Sequence, residues 1–375
     1  MSYKYKYIHF FLTDNTTFGK MLIDMICENT VFFHANDHLF VTYRKNLYEH
    51  FKDKCNIIYC KKPKYFGIDM INKYGDYGKW LFVHSLPWIH QEKHIKKNLR
   101  SKILWRTWGH DAVPPISKVE LKGKDINIVK KIRMLIRLLI ETNEKEWKSI
   151  VNQFYAVGTA NIIDDIQIKK IFGNVKLYRM PYIDKNENST LIKNNIKTND
   201  DVLHVMVGHS GYNDDHCKLL RLLKKFENEK IELHFPLNYG NKKYIDNTIN
   251  YISCNWKGKV DFLTNLLNYD EYTKYVSKMD IIILGAEESY ALGNLNIALF
   301  YGKTLFVNRN GAIYFGLQKE NIPCHFIDEI EKMNFNEFSS LFDYKLNKES
   351  SLYPITYNES VDIWKKIYLD LDQQT

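Results

Sequence analysis

Short strand-like runs alternate along the chain with longer segments that can hold helices, and this alternation restricts the possible folds most. The runs are rich in β-branched and aromatic residues and lie at 3–13, 38–43, 56–60, 80–85, 102–108, 153–158, 202–211, 231–240, 280–289 and 303–309. Parallel strands need a crossover of about a dozen residues or more, and the segments between the runs are long enough to provide it. The alternation therefore predicts βαβ units and mostly parallel sheets, that is, an α/β fold.

The length of the chain predicts two domains rather than one. A chain of 375 residues exceeds what one hydrophobic core comfortably supports. The run at 182–201 is polar, rich in asparagine and almost without apolar residues, so we interpret it as a linker. The prediction is a Rossmann-like first domain at 1–181, a Rossmann-like second domain at 202–345 and a helical tail at 346–375. Within the tail, residues 359–372 form an amphipathic helix that could pack on either domain.

Composition excludes several classes of protein. The six cysteines form no CxxC pair and no regular spacing, which argues against a disulfide framework or a cysteine zinc site. No run approaches the roughly 20 apolar residues of a membrane-spanning helix, and the first residues read as a strand rather than a signal peptide. We therefore expect a cytoplasmic protein. The net charge of +9 is interpreted partly as the codon bias of an AT-rich genome, so only clustered basic residues count as a signal.

Glycines and polar residues follow two strands of the second domain, where ligands of open α/β sheets bind. In the run 202–211, Gly208 and Gly211 allow close backbone approach, Ser210 offers a hydroxyl, and the following helix presents N–H groups to an anion. The segment 287–294 repeats this pattern one crossover later. Two helix N-termini facing one cleft would suit a diphosphate. Ordinary turn chemistry is the alternative for each loop.

The first domain carries the run KILWRTWGHDAVPP at 102–115. It predicts a short apolar strand that enters a loop and is stopped by two prolines. Trp105 and Trp108 would line a cleft or pack beneath it, and Gly109 would allow the turn. Asp111 lies in this loop, which follows a strand and is therefore a place where chemistry is expected.

The sequence resembles the Fuc4NAc transferase family, glycosyltransferase family 56, over roughly residues 80–330. The second half carries this resemblance in the runs VGHSGYNDDH, FPLNYGNKKYI, YDEYTKYVSKMDIIIL and LGNLNIALFYGKTLFVNR. In the first half, Trp105, Trp108, Gly109 and Asp111 match the family's W-x-x-W-G-x-D motif. The run FVHS is similar to the family's strand that ends in F-H-G.

The resemblance implies a GT-B glycosyltransferase, with two Rossmann-like domains facing a cleft. Enzymes of the family move 4-acetamido-4,6-dideoxygalactose from a dTDP donor to a lipid-linked saccharide in bacterial surface polysaccharide synthesis. This chain departs from the family pattern at three places. His209 replaces an asparagine of the glycine loop, Ser85 replaces the glycine of F-H-G, and residues 287–292 lack the family's arginine and glutamine pair.

The resemblance places the sugar donor on the second domain. The residues expected to bind it are Gly208, Ser210, Gly211, Tyr239, Glu287, Glu288, Gly293, Asn294 and Arg309. Helix N-termini, backbone N–H groups and a cation can stabilise the charge that builds on the leaving diphosphate. Arg309 is the candidate cation, and a solvated charge at a strand end is the alternative. The helix at 292–302 carries no carboxylate that could hold both hydroxyls of a ribose, which fits the deoxyribose of a dTDP donor.

Proton removal from the acceptor hydroxyl needs a base on the first domain if the reaction inverts configuration. Asp111 is the first candidate, because the resemblance carries it over, and His84 and His110 are the others. A cap or turn role is the alternative for Asp111, and a buried core histidine is the alternative for His84. If the reaction retains configuration, no dedicated base is needed and Asp111 only orients the acceptor.

No metal cofactor is expected. The chain has no DxD motif at a strand end, and DLD at 370–372 is interpreted as a solvated tail of the last helix. Lysines and arginines alternate with apolar residues over 117–140, which predicts a helix able to lie on the anionic inner face of a bacterial membrane. A helix packed on its own sheet is the alternative. The rival function is a non-catalytic protein that binds a nucleotide or a nucleic acid through basic and aromatic residues.

Overall fold

A computed structural model gives the architecture of the chain. It describes residues 3–12, 16–61, 63–87, 89–115, 141–194, 201–210, 216–287 and 291–374. The chain divides into two compact units. Unit 1 comprises Met1–Ala160, Ile168–Asp184 and Tyr357–Thr375, and unit 2 comprises Asn161–Gln167 and Lys185–Thr356.

The described residues form strands and helices in alternation. The strands are β1 Tyr5–Phe11, β2 His38–Thr42, β3 Ile57–Tyr59, β4 Gly78–His84, β5 Ile103–Arg106, β6 Ala156–Thr159, β7 Leu177–Arg179, β8 Leu203–Val207, β9 Ile231–Pro236, β10 Lys259–Leu263, β11 Ile281–Leu284, β12 Thr304–Val307 and β13 His325–Phe326. The α-helices are α1 Thr17–Glu28, α2 Lys45–Phe51, α3 Ile68–Tyr74, α4 Lys97–Arg100, α5 Glu144–Val151, α6 Ile162–Phe172, α7 Glu187–Lys193, α8 His216–Leu223, α9 Lys242–Asn255, α10 Tyr269–Ser277, α11 Leu292–Phe300, α12 Ala312–Lys319, α13 Phe335–Phe338 and α14 Tyr357–Gln373. Short 3₁₀ helices lie at Ala35–Asp37, Tyr65–Gly67, Gly75–Tyr77, Glu92–His94, His110–Ala112, Lys224–Phe226 and Ile327–Glu331.

Each unit is built on one parallel sheet. The sheet of unit 1 has the order β3-β2-β1-β4-β5-β6-β7, and the sheet of unit 2 has the order β10-β9-β8-β11-β12-β13. Every pair of neighbouring strands is parallel. The prediction of two parallel α/β sheets is therefore confirmed. Both orders reverse direction once, between β1 and β4 and between β8 and β11, and ligands of such sheets bind outside the strand ends at that point.

Apolar residues cover both faces of each sheet, which is why the strands are apolar runs rather than alternating ones. On β4, Leu81 and Val83 point into one core of unit 1, whereas Trp80 and Phe82 point into the other. On β11 of unit 2, Ile281 and Ile283 face one core and the residues between and after them face the other. Helices packed on both faces supply the remaining contacts.

The last helix, α14, packs on unit 1. Its predicted apolar face is confirmed, because Val361, Trp364, Ile367 and Tyr368 are all buried in one core of that unit. The interpretation of DLD at 370–372 as a solvated tail holds only for its aspartates, because Asp370 and Asp372 are partly exposed whereas Leu371 is buried. The hydroxyl of Tyr7 on β1 donates a hydrogen bond to Asp372 at 2.7 Å, so the end of the helix is tied to the central strands of the sheet.

The compact units differ from the predicted domain boundaries in three places, one of which is the predicted tail 346–375, whose first residues, up to Thr356, belong to unit 2. The segment predicted as a linker, 182–201, contains α7, and Leu191 of this helix is buried in a core of unit 2. The hydroxyl of Tyr301 also donates a hydrogen bond to the backbone oxygen of Leu191 at 3.1 Å. In addition, Asn161–Gln167 belongs to unit 2, although it lies inside the predicted first domain.

Membrane contact has no structural test within the described residues. None of the described helices is long and apolar enough to cross a bilayer. The basic and apolar segment at 117–140, predicted to lie on a membrane, falls outside the described residues.

Candidate active site

The loop after β8 lies at the reversal point of the second sheet. Gly208 has a backbone φ of 75°, a left-handed conformation that favours glycine, and its N–H donates to Ile283 of the neighbouring β11 at 2.9 Å. His209 and Ser210 follow and are buried. Gly211, the other predicted glycine of this loop, falls outside the described residues. The described part of the loop therefore turns sharply against β11, as the glycine pattern predicts.

The loop after β11 leads to the N-terminus of α11. Ala291 precedes this helix at a φ of 62°, no side chain among the described residues caps the helix, and its first turn contains no acidic residue. A Cβ atom added to Gly293 would meet nothing within 4 Å, so packing does not require glycine there. The start of α11 thus offers backbone N–H groups beside open space, which suits an approaching anion. Of the two predicted glutamates in this loop, Glu287 is exposed and Glu288 lies outside the described residues.

Two of the predicted donor-binding residues meet around Tyr272 of α10. Burial raises the pKa of the Tyr272 hydroxyl, the nearby Tyr239 adds to this effect, and a hydrogen bond with the side chain of Asn294 opposes it. Tyr239, predicted from the loop after β9, is exposed, and Asn294 lies in the first turn of α11. These three polar side chains therefore border the same end of the helix.

Gly311 is a residue of this region that sequence reasoning missed. A Cβ atom there would lie 2.9 Å from the backbone oxygen of Ala286, so only glycine lets the loop after β12 approach the loop after β11 so closely. Next to it, the N–H of Ala312 donates to the backbone oxygen of Glu287 at 2.8 Å. The signal in the sequence was a glycine directly after a strand, in the run NRNG at 308–311.

Arg309 does not have the geometry of a donor-binding cation. Its guanidinium lies 3.3 Å from carboxylate oxygens of Asp328 and of Glu329, and its charged carbon lies 3.6 Å from the ring centre of Phe326. The predicted role is therefore corrected. The side chain is an exposed charge at a strand end, which was the alternative interpretation. Two carboxylates of the same unit neutralise it.

In unit 1, the loop after β4 contains a strained residue where the family has glycine. Ser85 is buried and has a φ of 62°, which costs an L-residue about 1 kcal/mol or more and costs glycine nothing comparable. The backbone at this position is one that glycine adopts without strain, and Ser85 adopts it under strain. Such strain at a strand end is commonly found at functional sites.

Replacement of Ser85 by glycine is expected to stabilise the protein. Ser85→Gly should raise the free energy of unfolding by about 1 kcal/mol, because glycine reaches the left-handed conformation without strain. Ser101→Gly is the matched control, since Ser101 has a φ of −67° and should lose about 0.5 kcal/mol. Denaturant unfolding of both variants measures the difference. A Ser85→Gly protein that is no more stable than the original would contradict the strain.

Asp111 is completely buried and holds two loops together. One carboxylate oxygen accepts hydrogen bonds from the backbone N–H of Leu86 at 2.8 Å and from the indole N–H of Trp105 at 2.9 Å. The other accepts from the backbone N–H of Trp108 at 2.7 Å. The turn around Gly109 has a φ of 85° at that glycine, as its predicted role requires. The carboxylate accepts three hydrogen bonds and is not exposed. This geometry favours the turn role, which was the alternative to Asp111 acting as a base.

His84 ends β4 and belongs to a chain of buried side chains. Its Nδ1 lies 2.5 Å from the hydroxyl of Tyr182, and its Nε2 lies 3.0 Å from Nδ1 of His9 on β1. The Nε2 of His9 then lies 3.2 Å from Nδ1 of His38 on β2. The register of the strands places the three histidines on a diagonal across the sheet. His9 pairs with Phe40, two residues after His38, and with Phe82, two residues before His84. Sequence reasoning named His84 but missed His9, His38 and Tyr182.

Burial keeps these imidazoles neutral. It lowers the pKa of His84 to about 3, and the charge of Arg106 acts in the same direction. Burial likewise lowers the pKa of His38 to about 3 and that of His9 well below its ordinary value. An imidazole that resists protonation so strongly is a weak direct base for an acceptor hydroxyl. The geometry thus favours the buried core histidine that was the alternative for His84.

Aromatic rings occupy the carboxyl end of the first sheet. The ring of Tyr182 stacks on Phe18 with 5.2 Å between ring centres, and Trp108 meets Phe18 edge-on at 5.0 Å. Trp108 is half-buried, whereas Trp105 lies in the core beneath. His110, the third candidate base, lies in the short helix His110–Ala112, and only its backbone is described.

Comparison with known proteins supplies the family. Residues 151–365 match the family described as 4-alpha-L-fucosyltransferase, glycosyl transferase group 56. The chain belongs to glycosyl transferase group 56. The resemblance stated from the sequence is thereby confirmed, and membership makes the chain a nucleotide-sugar-dependent glycosyltransferase that acts on a saccharide. The match begins after Asp111 and His84, so those two residues lie outside it. No match was found among curated proteins.

Solved structures share the fold of this group 56 chain at low sequence identity. A glycosyltransferase from Rickettsia africae has a TM-score of 0.57 and 11% identity and covers 99% of this chain and 100% of its own. Sucrose-phosphate synthase from Thermosynechococcus elongatus has a TM-score of 0.59 and 10% identity, with the same coverage. An Anabaena protein in complex with UDP and glucose has a TM-score of 0.52 and 12% identity over 98% of this chain and 100% of its own. The predicted GT-B fold with two Rossmann-like domains is therefore confirmed.

Proposed function

We propose that this group 56 enzyme moves a deoxy-amino sugar of the Fuc4NAc type from a dTDP-linked donor to a lipid-linked saccharide during the synthesis of a bacterial surface polysaccharide. The observation that carries the donor assignment is the start of α11, where the described residues provide no side-chain cap, Gly293 is open and no carboxylate occurs throughout Leu292–Phe300. A helix without a carboxylate lacks the group that can accept hydrogen bonds from both hydroxyls of a ribose, which suits the deoxyribose of dTDP.

The diphosphate would lie at the reversal point of the second sheet. The N–H groups of the first turn of α11 and the backbone of the Gly208 loop would stabilise the charge that develops on the leaving phosphates. Ser210, Gly211, Glu287 and Glu288 are proposed to contact the rest of the nucleotide sugar. Asn294 and Tyr239 would border the same site. We propose that transfer needs no metal ion, because helix N-termini and backbone dipoles can supply this stabilisation.

Asp111 and His84 are proposed to position the acceptor side rather than to remove its proton. Asp111 fixes Trp108 through a 2.7 Å hydrogen bond, and His84 fixes the hydroxyl of Tyr182. Asp111 and His84 are buried, so His110 remains as the proposed base if configuration is inverted. If configuration is retained, the site needs no base.

The lipid-linked acceptor is proposed to reach the enzyme at a membrane surface. The support is the alternation of basic and apolar residues at 117–140, next in the chain to the loop that contains Asp111. The enzyme would then act as a peripheral protein on the inner face of the cell membrane. Binding to vesicles that contain anionic lipid, compared with neutral vesicles, tests this part of the proposal.

Nucleotide-induced stabilisation tests the donor. At a dTDP concentration 100-fold above Kd, Tm should rise by roughly 5–10 °C, because the ligand binds only the folded state. UDP, GDP and CDP at the same concentration should produce smaller shifts. A clear preference for UDP would overturn the dTDP assignment. If none of the four nucleotides raises Tm, the proposed donor site is overturned.

Gly293→Ala locates the site within the protein. The added methyl group has room in the protein alone, and alanine favours helices, so Tm without nucleotide should stay equal or rise. The same methyl group would obstruct a diphosphate at the helix start and weaken dTDP binding about tenfold or more, which corresponds to about 1.4 kcal/mol. Unchanged dTDP binding in this variant would move the diphosphate away from α11.

A further inference from the structure

Four ionisable side chains lie together on one face of the second sheet. Glu232 and His234 are two residues apart on β9, so they share a face of the strand. His204 on β8 pairs with Glu232, and Asp261 on β10 pairs with His234. The two histidines are buried, with 8% and 7% of their surface exposed. Such a polar group on the covered face of a sheet needs partners that compensate its loss of hydration.

Three of these side chains converge at the spacing of metal ligands. Nδ1 of His204 lies 3.0 Å from Nε2 of His234, and a carboxylate oxygen of Glu232 lies 3.9 Å from the same nitrogen. One ligand atom from each of the three residues lies within 4.8 Å of the others. Two ligands of a tetrahedral zinc ion at about 2.0–2.1 Å from the metal are about 3.3 Å apart, so small shifts would complete the geometry.

Asp261 determines which nitrogen of His234 is a ligand. Its carboxylate lies 3.3 Å from Nδ1 of His234, so that nitrogen carries the proton and donates it. The lone pair is therefore on Nε2, which faces His204 and Glu232. A carboxylate on the outer nitrogen of a histidine is the arrangement that orients metal-binding imidazoles.

We propose that His204, His234 and Glu232 bind one zinc ion, with Asp261 orienting His234. Two imidazole nitrogens and one carboxylate favour zinc over magnesium or calcium, which prefer oxygen ligands. The charges of Glu232 and Asp261 balance the charge of the ion.

The site is open to an ion from one side. The side chain of Glu232 is 25% exposed and that of Asp261 is 47% exposed, so solvent reaches the edge of the group. On the other side, the ring of Tyr275 from α10 packs edge-on against His234, with 5.8 Å between ring centres. An ion bound here would link β8 and β9 under this helix, with Asp261 of β10 supporting His234 from the next strand.

This inference is independent of the proposed donor and acceptor. His204 stands four residues before Gly208, which at about 3.3 Å per residue places it roughly 13 Å along β8 from the loop at the carboxyl end. A zinc ion at this distance stabilises unit 2 and takes no part in sugar transfer. Zinc binding and nucleotide binding can therefore be measured and can fail separately.

Metal titration of the full-length protein tests the site. After removal of metal with a chelator, the protein should bind one zinc ion per chain, measured by competition with a chromophoric chelator. At a free zinc concentration 100-fold above Kd, Tm should rise by roughly 5–10 °C, whereas magnesium should have no such effect. The absence of a zinc-dependent rise would overturn the proposal.

Two variants separate this site from zinc bound by other histidines at the surface. Glu232→Gln removes a ligand charge at a partly exposed position, and Asp261→Asn removes only the orienting carboxylate. Asp261→Asn should weaken zinc binding about 10–100-fold, and Glu232→Gln should weaken it at least as much. His50→Gln, at an exposed position outside the group, is the control and should bind zinc as the original protein does. If all three variants bind zinc as tightly as the original protein does, the proposal is overturned. A circular dichroism spectrum and a zinc-free Tm like those of the original protein show that each variant is folded.

Discussion

Acidification from pH 7 to pH 5 is expected to destabilise unit 1 by about 6 kcal/mol through three histidines alone. His9, His38 and His84 are completely or almost completely buried, and burial holds the pKa of each at about 3 or well below its ordinary value. In the unfolded chain each imidazole titrates near pH 6.5, so the unfolded state binds more protons below that pH. Between pH 7 and pH 5 each group then contributes about 2 kcal/mol of lost stability.

The sign of this effect follows from the direction of the shifts. A histidine with a lowered pKa contributes its full stability above pH 6.5, and that contribution is lost as the pH falls from about 6.5 towards about 3. The charged groups near the chain do not reverse this. Arg106 lowers the pKa of His84 further, and Lys6 and His34 lower that of His38. The hydroxyls of Tyr182 and Tyr368, which also lie beside these histidines, stay neutral in this range.

Hydrogen exchange read by mass spectrometry measures the effect in unit 1 itself. Amides of β1 and β4 should lose protection steeply between pH 6.5 and pH 5, after correction for the intrinsic exchange rate. His9→Gln should reduce the pH dependence by about one third, since one of the three proton-binding groups is gone. His50→Gln, at an exposed position, should leave it unchanged. An equal pH dependence in the protein and in His9→Gln would contradict the assignment.

The sequence is sufficient to predict the architecture because its strands are buried on both faces. Runs such as 80–85 and 280–289 are apolar, short and separated by segments long enough for a crossover, and they became β4 and β11. Three strands were missed, namely β7, β10 and β13. All three are edge strands of two to five residues, and β10, Lys259–Leu263, contains charged residues. Such strands are fixed by hydrogen bonds to a neighbour more than by their own pattern.

The candidate site was predictable only where a single loop decides the geometry. The glycines at 109 and 208 have the positive φ angles that their turns suggested. The role of Asp111 could not be derived, since its three donors come from the ends of two strands that are adjacent only in the folded sheet. The histidine chain depends in the same way on the register of β2, β1 and β4, which no local pattern encodes. The one available signal was a histidine in each of three apolar strands.

Asp111→Asn is expected to lower the free energy of unfolding by about 3 kcal/mol, because it removes a buried charged acceptor and leaves one donor facing another. The better orientation of the asparagine keeps its oxygen on Leu86 and Trp105, which share one acceptor in the original protein. Its NH₂ group then faces the backbone N–H of Trp108, where an acceptor stood before. Asp76→Asn is the matched control, since Asp76 is exposed and should change stability by less than about 0.5 kcal/mol.

The same variant decides between a positioning residue and a base. If Asp111 positions the loop, Asp111→Asn loses stability and part of its transfer rate. The pH profile of kcat/KM then keeps its shape. The thermal shift with dTDP, which reports on unit 2, is also unchanged. If Asp111 is the base, the variant loses transfer almost completely and the limb of the pH profile that reports the base disappears. A variant that is as stable as the original protein but inactive, at a temperature where both are folded, would therefore contradict the positioning role. Such a result would mean that the three hydrogen bonds of the buried carboxylate contribute little to the fold.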